Sequence, residues 1–328
     1  MLALDEPLEA LVQPDGTLRK IPNVGPSSTR VIMEFLRTGR SAIVEAATEA
    51  RARGDDADRA PTIDQTFLSD VQVLDALSHP MPKAVRPADY KGDLQMHSEY
   101  SDGRATVRAM AEGCRARGYS YCAITDHGHG LPIARGVSMS DLARQQSEID
   151  AINRGYRGRF RILKGIEANI LADGSLDLDA RELRRLELVV AAPHSRLRAT
   201  DDQTARLLNA INTRGVHILG HPRGRKFRSR PGIQADWELV FAAAAKRGVA
   251  LEIDGDPSRQ DIDFMLAGRA AAMGCLFALD SDAHSVNELS YADTAIAHAR
   301  LAGLPRSRII NCWSLDKLMA WLAKAWTR

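Results

Sequence analysis

Residues 121–127 read YCAITDH, a short apolar run closed by an acid and an imidazole. A run of that length fits a buried strand and falls short of a helix. The same design recurs in DLQMHS (93–98), RILKGIEANI (161–170), LELVVAAPHS (186–195), VHILGHP (216–222), VALEIDGD (249–256) and CLFALDSDAH (275–284). Each segment is followed by a helical pattern, and the starts lie roughly 30 residues apart, the length of one βα unit. Seven such units in a row predict an α/β fold, a closed parallel (β/α)7 barrel rather than an open sheet.

The polar residues that end these segments carry the chemistry. The first ends with Gln95 and His97, and Asp102 follows; the second ends with Asp126 and His127, the third with Glu167. His194 and His221 close the fourth and fifth, Glu252 and Asp254 the sixth, Asp282 and His284 the seventh. In a βα barrel all strand C-termini open on one face, so residues distant in sequence converge there. A lone terminal histidine is more often a core or capping residue. Repetition at most of the seven strand ends instead points to a metal cluster. Imidazole with carboxylate selects Zn²⁺, Mn²⁺ or Fe²⁺ over Ca²⁺ or Mg²⁺. Two to three such divalent ions close together suit hydrolysis of a phosphate ester. The sequence has no GxSxG nucleophile motif and no GxxxxGK[ST] phosphate loop.

Composition sets the outer bounds. The chain has 328 residues, 45% hydrophobic and 26% charged, enough for a large core and against global disorder. Its 44 basic and 42 acidic residues give a net charge of +2, so any nucleic-acid binding uses local patches. Only eight of the basic residues are lysine. Arginine forks suit phosphate, and a GC-rich genome gives the same bias. Cys114, Cys122, Cys275 and Cys312 form no CxxC pair, which fits a reducing compartment. The start, MLALDEPLEAL, lacks the basic and apolar run of a signal peptide, and no apolar stretch reaches a membrane span. A soluble, cytoplasmic protein without a membrane partner is expected.

Before the barrel, Leu8, Leu11 and Val12, then Val31, Ile32, Phe35 and Leu36, predict two short amphipathic helices around IPNVG (21–25), with a tight turn at Asn23 and Gly25. We place a helical domain at 1–55. A linker follows at 56–89, with one short helix near Phe67–Leu77, and the barrel domain occupies 90–328. The run RGRKFRSR (223–230) follows the His221 strand on the site face, which makes Arg223, Arg225 and Arg230 candidates for substrate phosphate, with Arg259 after Asp254. His217 alternates away from the site, His129 is a loop residue, and His79 and His298 read as surface residues. Trp313, Trp321 and Trp326, with Leu315, Leu318 and Leu322, predict a packed terminal helix.

These motifs resemble a known family. GDLQMHSEYSDG (92–103), AITDHG (123–128), GIEANI (165–170), PHS (193–195), GHP (220–222) and SDAH (281–284) look like the ordered motifs of the PHP domain, named for polymerase and histidinol phosphatase. The resemblance covers about residues 88–315. GHPRGR…RPG (220–232) and EIDGDPSRQD (252–261) are most similar to the C-terminal PHP domain of the bacterial DNA polymerase X family. The resemblance implies a distorted seven-stranded barrel holding three metals. The first site would use Gln95, His97, Glu167 and Asp282; the second Glu167, His194 and His221; the third Asp102, His127 and His284. Gln95 stands where the family's HxH motif has its first histidine. Glu167, His194 and Asp282 would be catalytic, and Asp126 would support a neighbouring loop. IPNVG resembles a helix-hairpin-helix, a nonspecific DNA phosphate binder, with Asn23 where glycine is usual. The sequence looks like that of a polymerase X without its polymerase palm.

The implied function is a metal-dependent phosphoester hydrolase acting on DNA 3′ ends, as a 3′–5′ exonuclease or 3′-phosphatase. Two alternatives stand beside it: a small-molecule phosphatase for histidinol phosphate or nucleotides, and an inactive DNA-binding accessory protein.

Overall fold

The structure, a computed structural model, describes residues 7–21, 24–42, 45 and 63–327. It divides into two compact units, residues 1–62 and 63–328.

In the first unit, Leu8–Leu11 form a single 3₁₀ turn rather than the expected helix. Chain reversal follows at once. Asp15 Oδ1 accepts the Thr17 N–H at 2.9 Å, Gly16 takes φ +76°, and Val12 bridges Leu18. Helix α1, Pro26–Thr38, starts on a proline and stops at Gly39 with φ +69°. Gly25 precedes it in extended conformation. The turn expected at Asn23 lies outside the described residues.

The second unit begins at residue 63, so most of the expected linker belongs to it. Helix α2 (Asp70–Ser78) carries a Ser69/Gln72 capping box. Its Val73 and Ala76 pack on Ala297. The Arg300 guanidinium holds this segment by bonds to the Ala76, His79 and Val85 carbonyls. Prolines and charges suggested a linker, because each anchoring partner lies more than 200 residues away.

Seven parallel strands follow in sequence order: β1 (Gly92–Asp93), β2 (Tyr121–Ile124), β3 (Arg161–Asn169), β4 (Leu188–Ala192), β5 (Ile218–Leu219), β6 (Ala250–Asp254) and β7 (Leu276–Asp280). Met96 bridges Ala283, and the His97 N–H donates to the Ala283 carbonyl at 2.8 Å, which brings the two sheet edges together into a nearly closed barrel. Between strands run α3 (Val107–Ala116), α4 (Met139–Tyr156), α5 (Ala180–Leu183), α6 (Thr204–Asn212), α7 (Trp237–Arg247) and α8 (Phe264–Ala272); α9 (Ala292–Leu301) and α10 (Leu315–Lys324) come last. Most start on a polar cap: Thr106, Ser138, Asp179, Asp236, Asp263 and Ser314 each accept a first-turn backbone N–H.

Strand residues alternate between two cores. Ile166, Val189, Leu219, Leu251 and Phe277 face the helix layer, against Leu207, Ile211, Phe241 and Leu266. Tyr121, Ala123, Leu163, Leu188, Val190, Ile218, Ala250 and Ala278 face the barrel interior, where Trp313, Leu318, Trp321 and Leu322 join them. Helix α10 closes the N-terminal end of the strands. Trp321 Nε1 donates to the Gly248 carbonyl just before β6 at 3.2 Å, and the Tyr121 hydroxyl at the start of β2 reaches the Trp313 carbonyl at 3.1 Å. The expected packed terminal helix is therefore a floor. The opposite mouth is left to polar residues.

Candidate metal centre

Glu167, near the end of β3, is the hub of that mouth. Its Oε1 lies 2.9 Å from His221 Nε2 and 3.2 Å from His194 Nε2. Its Oε2 lies 3.0 Å from His127 Nδ1 and 3.3 Å from His97 Nε2. Four imidazoles from four strand ends thus meet one buried carboxylate. His97 Nε2 also lies 2.9 Å from Asp282 Oδ1. Asp102 collects the far side, 3.4 Å from His284 Nε2 and 3.6 Å from His127 Nε2. His97 stacks between His127 and His284, with ring centroids 4.4 and 4.3 Å away.

Three groups of these residues bring one ligand atom each within 4.8 Å of one another: His97/Asp102/His127/His284, His127/Glu167/His194 and His97/Glu167/Asp282. The protonation states suit ligation. Burial pushes the imidazoles of His97 and His221 down to about 4 and that of His127 down to about 3, so all three present neutral lone pairs at neutral pH. Burial pushes Glu167 up, but the facing His127 and His194, with hydrogen bonds from His194 and His221, hold it well below the usual carboxylate range. His97 Nδ1, His127 Nδ1 and Glu167 Oε2 are buried and make no hydrogen bond. Neutral imidazoles and orphaned buried atoms around a charged carboxylate are the donor set a divalent ion requires. The backbone is bent to build it: Asp282 has φ +50° and His221 φ +20°, positions that non-glycine residues avoid at a cost of about 1–3 kcal/mol.

A supporting layer aims these side chains. Asp126 accepts the Ser98 N–H at 2.8 Å, the Gln145 Nε2–H at 2.5 Å and the Ser101 hydroxyl, fixing the loop that carries His97 and Asp102. Glu252 accepts the His221 backbone N–H. Asn169 Oδ1 lies 3.3 Å from His194 Nδ1, and Asp177 holds the Asn169 N–H at 2.8 Å. Sequence reading passed over Asn169, although it stands two residues beyond Glu167 and so shares its inward face. Asp93 and Asp280 are also buried in the barrel, and burial raises them to about 8 and about 6. Gln95 is buried too, with neither amide atom hydrogen-bonded.

The arginine candidates divide. The Arg259 guanidinium reaches Asp282 and lies 3.5 Å from Asp254 Oδ2, inside the site. Arg230 stands half-buried at the rim, its Nε–H donating to the Gly224 carbonyl at 2.5 Å. Arg225, expected to hold substrate phosphate, is turned inward. It is fully buried, and it donates to the Arg259 and Gln260 carbonyls, to Thr66 Oγ1 at 2.5 Å and to Asp263 at 3.1 Å, with Phe67 4.0 Å below it. Arg223 is likewise drawn inward, 3.0 Å from Asp263 Oδ2. His298, expected at the surface, is buried, with Nε2 2.7 Å from Gln260 Oε1. His129 sits 3.5 Å from Glu182, and His217 bonds the Val189 N–H at 3.0 Å on the other side of its strand.

A parallel barrel whose C-terminal mouth gathers a His/Asp/Glu cluster of this kind is built to hold divalent ions at the place where barrel enzymes carry out their chemistry. The chain belongs to the PHP domain family, which it matches over residues 93–254. It is 37% identical over 235 residues to the DNA polymerase/3′-5′ exonuclease PolX of Bacillus subtilis, covering 71% of this chain and 41% of that protein. It is 31% identical over 237 residues to a probable phosphatase of Enterobacter sp. strain 638, covering 68% and 90%. Among solved structures it resembles the histidinol phosphate phosphatase of Lactococcus lactis complexed with zinc, L-histidinol and phosphate, at 17% identity and TM-score 0.48, covering 64% and 94%. No helix among the described residues is long and apolar enough to cross a membrane.

Proposed function

We propose that this phosphoesterase acts on DNA 3′ ends, as a 3′–5′ exonuclease or 3′-phosphatase. The observation that carries the reading is the 37% identity to a polymerase/exonuclease over a stretch of 235 residues, in a chain whose Glu167 hub gathers four imidazoles. Divalent ions of the Mn, Zn or Fe type bound there would polarise the phosphoryl oxygens and acidify a bound water. Glu167 bridges the ligand groups, Asp282 and His194 complete them, and Gln95, His97, Asp102, His127, His221 and His284 fill the remaining positions. Arg259 offers its guanidinium to a phosphate oxygen beside Asp282. The α1 unit supplies a separate grip on the DNA backbone.

A second reading, a small-molecule phosphatase, draws on the 31% identity to a probable phosphatase of which the chain covers 90%. One experiment separates them. The purified protein is given Mn²⁺ and offered a 3′-recessed duplex, single-stranded DNA and histidinol phosphate in parallel. The proposal expects the duplex to be the best substrate and chelation to stop the reaction. Histidinol phosphate as the far better substrate overturns it, and metal-loaded protein inert on all three and on a duplex ending in a 3′-phosphate supports the inactive accessory alternative.

A further inference from the structure

Next to the ligand groups, sharing His194 with them, lies a cavity of about 300 Å³ lined by His194, Arg196, Leu197, Arg198, Ala199 and Arg230. Its three arginines are not equivalent. Arg196 is neutralised by Asp201 at 2.6 Å. Arg198 is held by neutral groups, donating to the Ser229 carbonyl at 2.7 Å and its hydroxyl at 3.1 Å. Arg230 is held by the Gly224 carbonyl. Among the described residues no carboxylate forms an ion pair with Arg198 or Arg230. They also feel each other: burial lowers Arg230, the facing cations Arg259 and Arg198 lower it further, and the more distant Asp261 offsets part of this without forming an ion pair.

Two guanidinium groups that line one cavity, each held by a carbonyl and neither ion-paired, form a site that an anion completes. Arg259, whose guanidinium reaches Asp282, and Arg198 are both cations that face Arg230. His194 belongs to both places, with Nε2 toward Glu167 and its ring in the cavity wall. An anion in the cavity would therefore sit next to a phosphate at the metal centre.

We propose that the cavity formed by His194, Arg198 and Arg230 is a second phosphate subsite, which takes the phosphate next to the scissile one on a nucleotide substrate. This deepens the DNA reading and rests on it for the choice of substrate. The subsite itself requires only a nucleotide with two phosphates, whether a strand end or a free bisphosphate.

The test is titration calorimetry on the full-length, Mn²⁺-loaded protein with adenosine 5′-monophosphate and adenosine 3′,5′-bisphosphate. The bisphosphate should bind about tenfold or more tightly than the monophosphate, as expected for charge-assisted bonds to two forks. In Arg198→Ala the preference should fall to about twofold, and Arg198→Glu should reverse it. Arg198 is exposed, so both variants keep the fold, which their melting curves check. Equal binding of the two nucleotides by the unaltered protein, or a preference that survives in Arg198→Ala, overturns the subsite. A parallel arm measures cleavage of a 3′-recessed duplex. Bisphosphate preference without duplex cleavage keeps the subsite and removes the DNA reading. Duplex cleavage without the preference does the reverse.

Discussion

At the scale of single residues, the side chains that gather at the barrel mouth were legible and the buried supports were not. His97, His127, His194, His221 and His284 announced themselves because each closes an apolar segment, and strand ends share one face whatever the loops do. Arg225 looked like its neighbours in RGRKFRSR, yet its fork is filled by Thr66, Phe67 and Asp263, partners that only tertiary folding supplies. Arg225→Ala should therefore behave as a core lesion. It removes one of the two guanidinium groups on Asp263, strips the Arg259 and Gln260 carbonyls of their donor and empties a fully buried site, and should cost about 3–5 kcal/mol in denaturant unfolding. A loss below about 1 kcal/mol, typical of an exposed ion pair, would contradict the assignment. His298 is a second buried support. Burial, with the nearby Arg225 charge, depresses it from 6.5 to about 3. The folded state refuses a proton that the unfolded imidazole accepts below pH 6.5. Its contribution is thus complete above that value and is lost as the pH falls toward 3. His298→Phe should flatten the dependence of Tm on pH between those limits, and an unchanged slope would count against it.

At the scale of elements, the βα repeat and its closing into a barrel were visible, while the helices that dock on the barrel from far along the chain were not. Each strand showed itself by length and apolar content. The docking of α2 on α9 and the plugging of the floor by α10 depend on surfaces far apart in sequence. The loop after β1 illustrates how tightly an element can be specified. A Cβ on Gly103 would lie 2.6 Å from the carbonyl carbon of His97 and 2.7 Å from its oxygen, so the loop carrying His97 and Asp102 closes only around glycine. Gly103→Ala should push both ligands out of register and weaken metal binding about 10–100-fold, the range seen when ligand supports are lost. Competition with a chromophoric chelator measures this, and unaltered affinity would show that the loop tolerates the shift.

At the scale of the whole molecule, the chain is a barrel that holds the chemistry and a smaller helical unit ending at residue 62. A chain with a net charge of +2 has no general attraction for DNA, so a grip on the backbone has to be local. Removing residues 1–62 should lower affinity for duplex DNA and reduce the slope of log affinity against log salt, because fewer phosphate contacts release fewer counterions. An unchanged slope in a filter-binding or anisotropy titration would remove the N-terminal unit from DNA recognition. Everything else rests on the barrel mouth being a metal centre, with Glu167 shared between ligand groups. The most direct test is elemental analysis of the protein as purified, alongside Glu167→Gln. The account predicts two to three equivalents of Mn, Zn or Fe per chain for the three ligand groups. It predicts at least one equivalent fewer in the variant, with hydrolysis of phosphate esters abolished. The same metal content and activity in both proteins would contradict it.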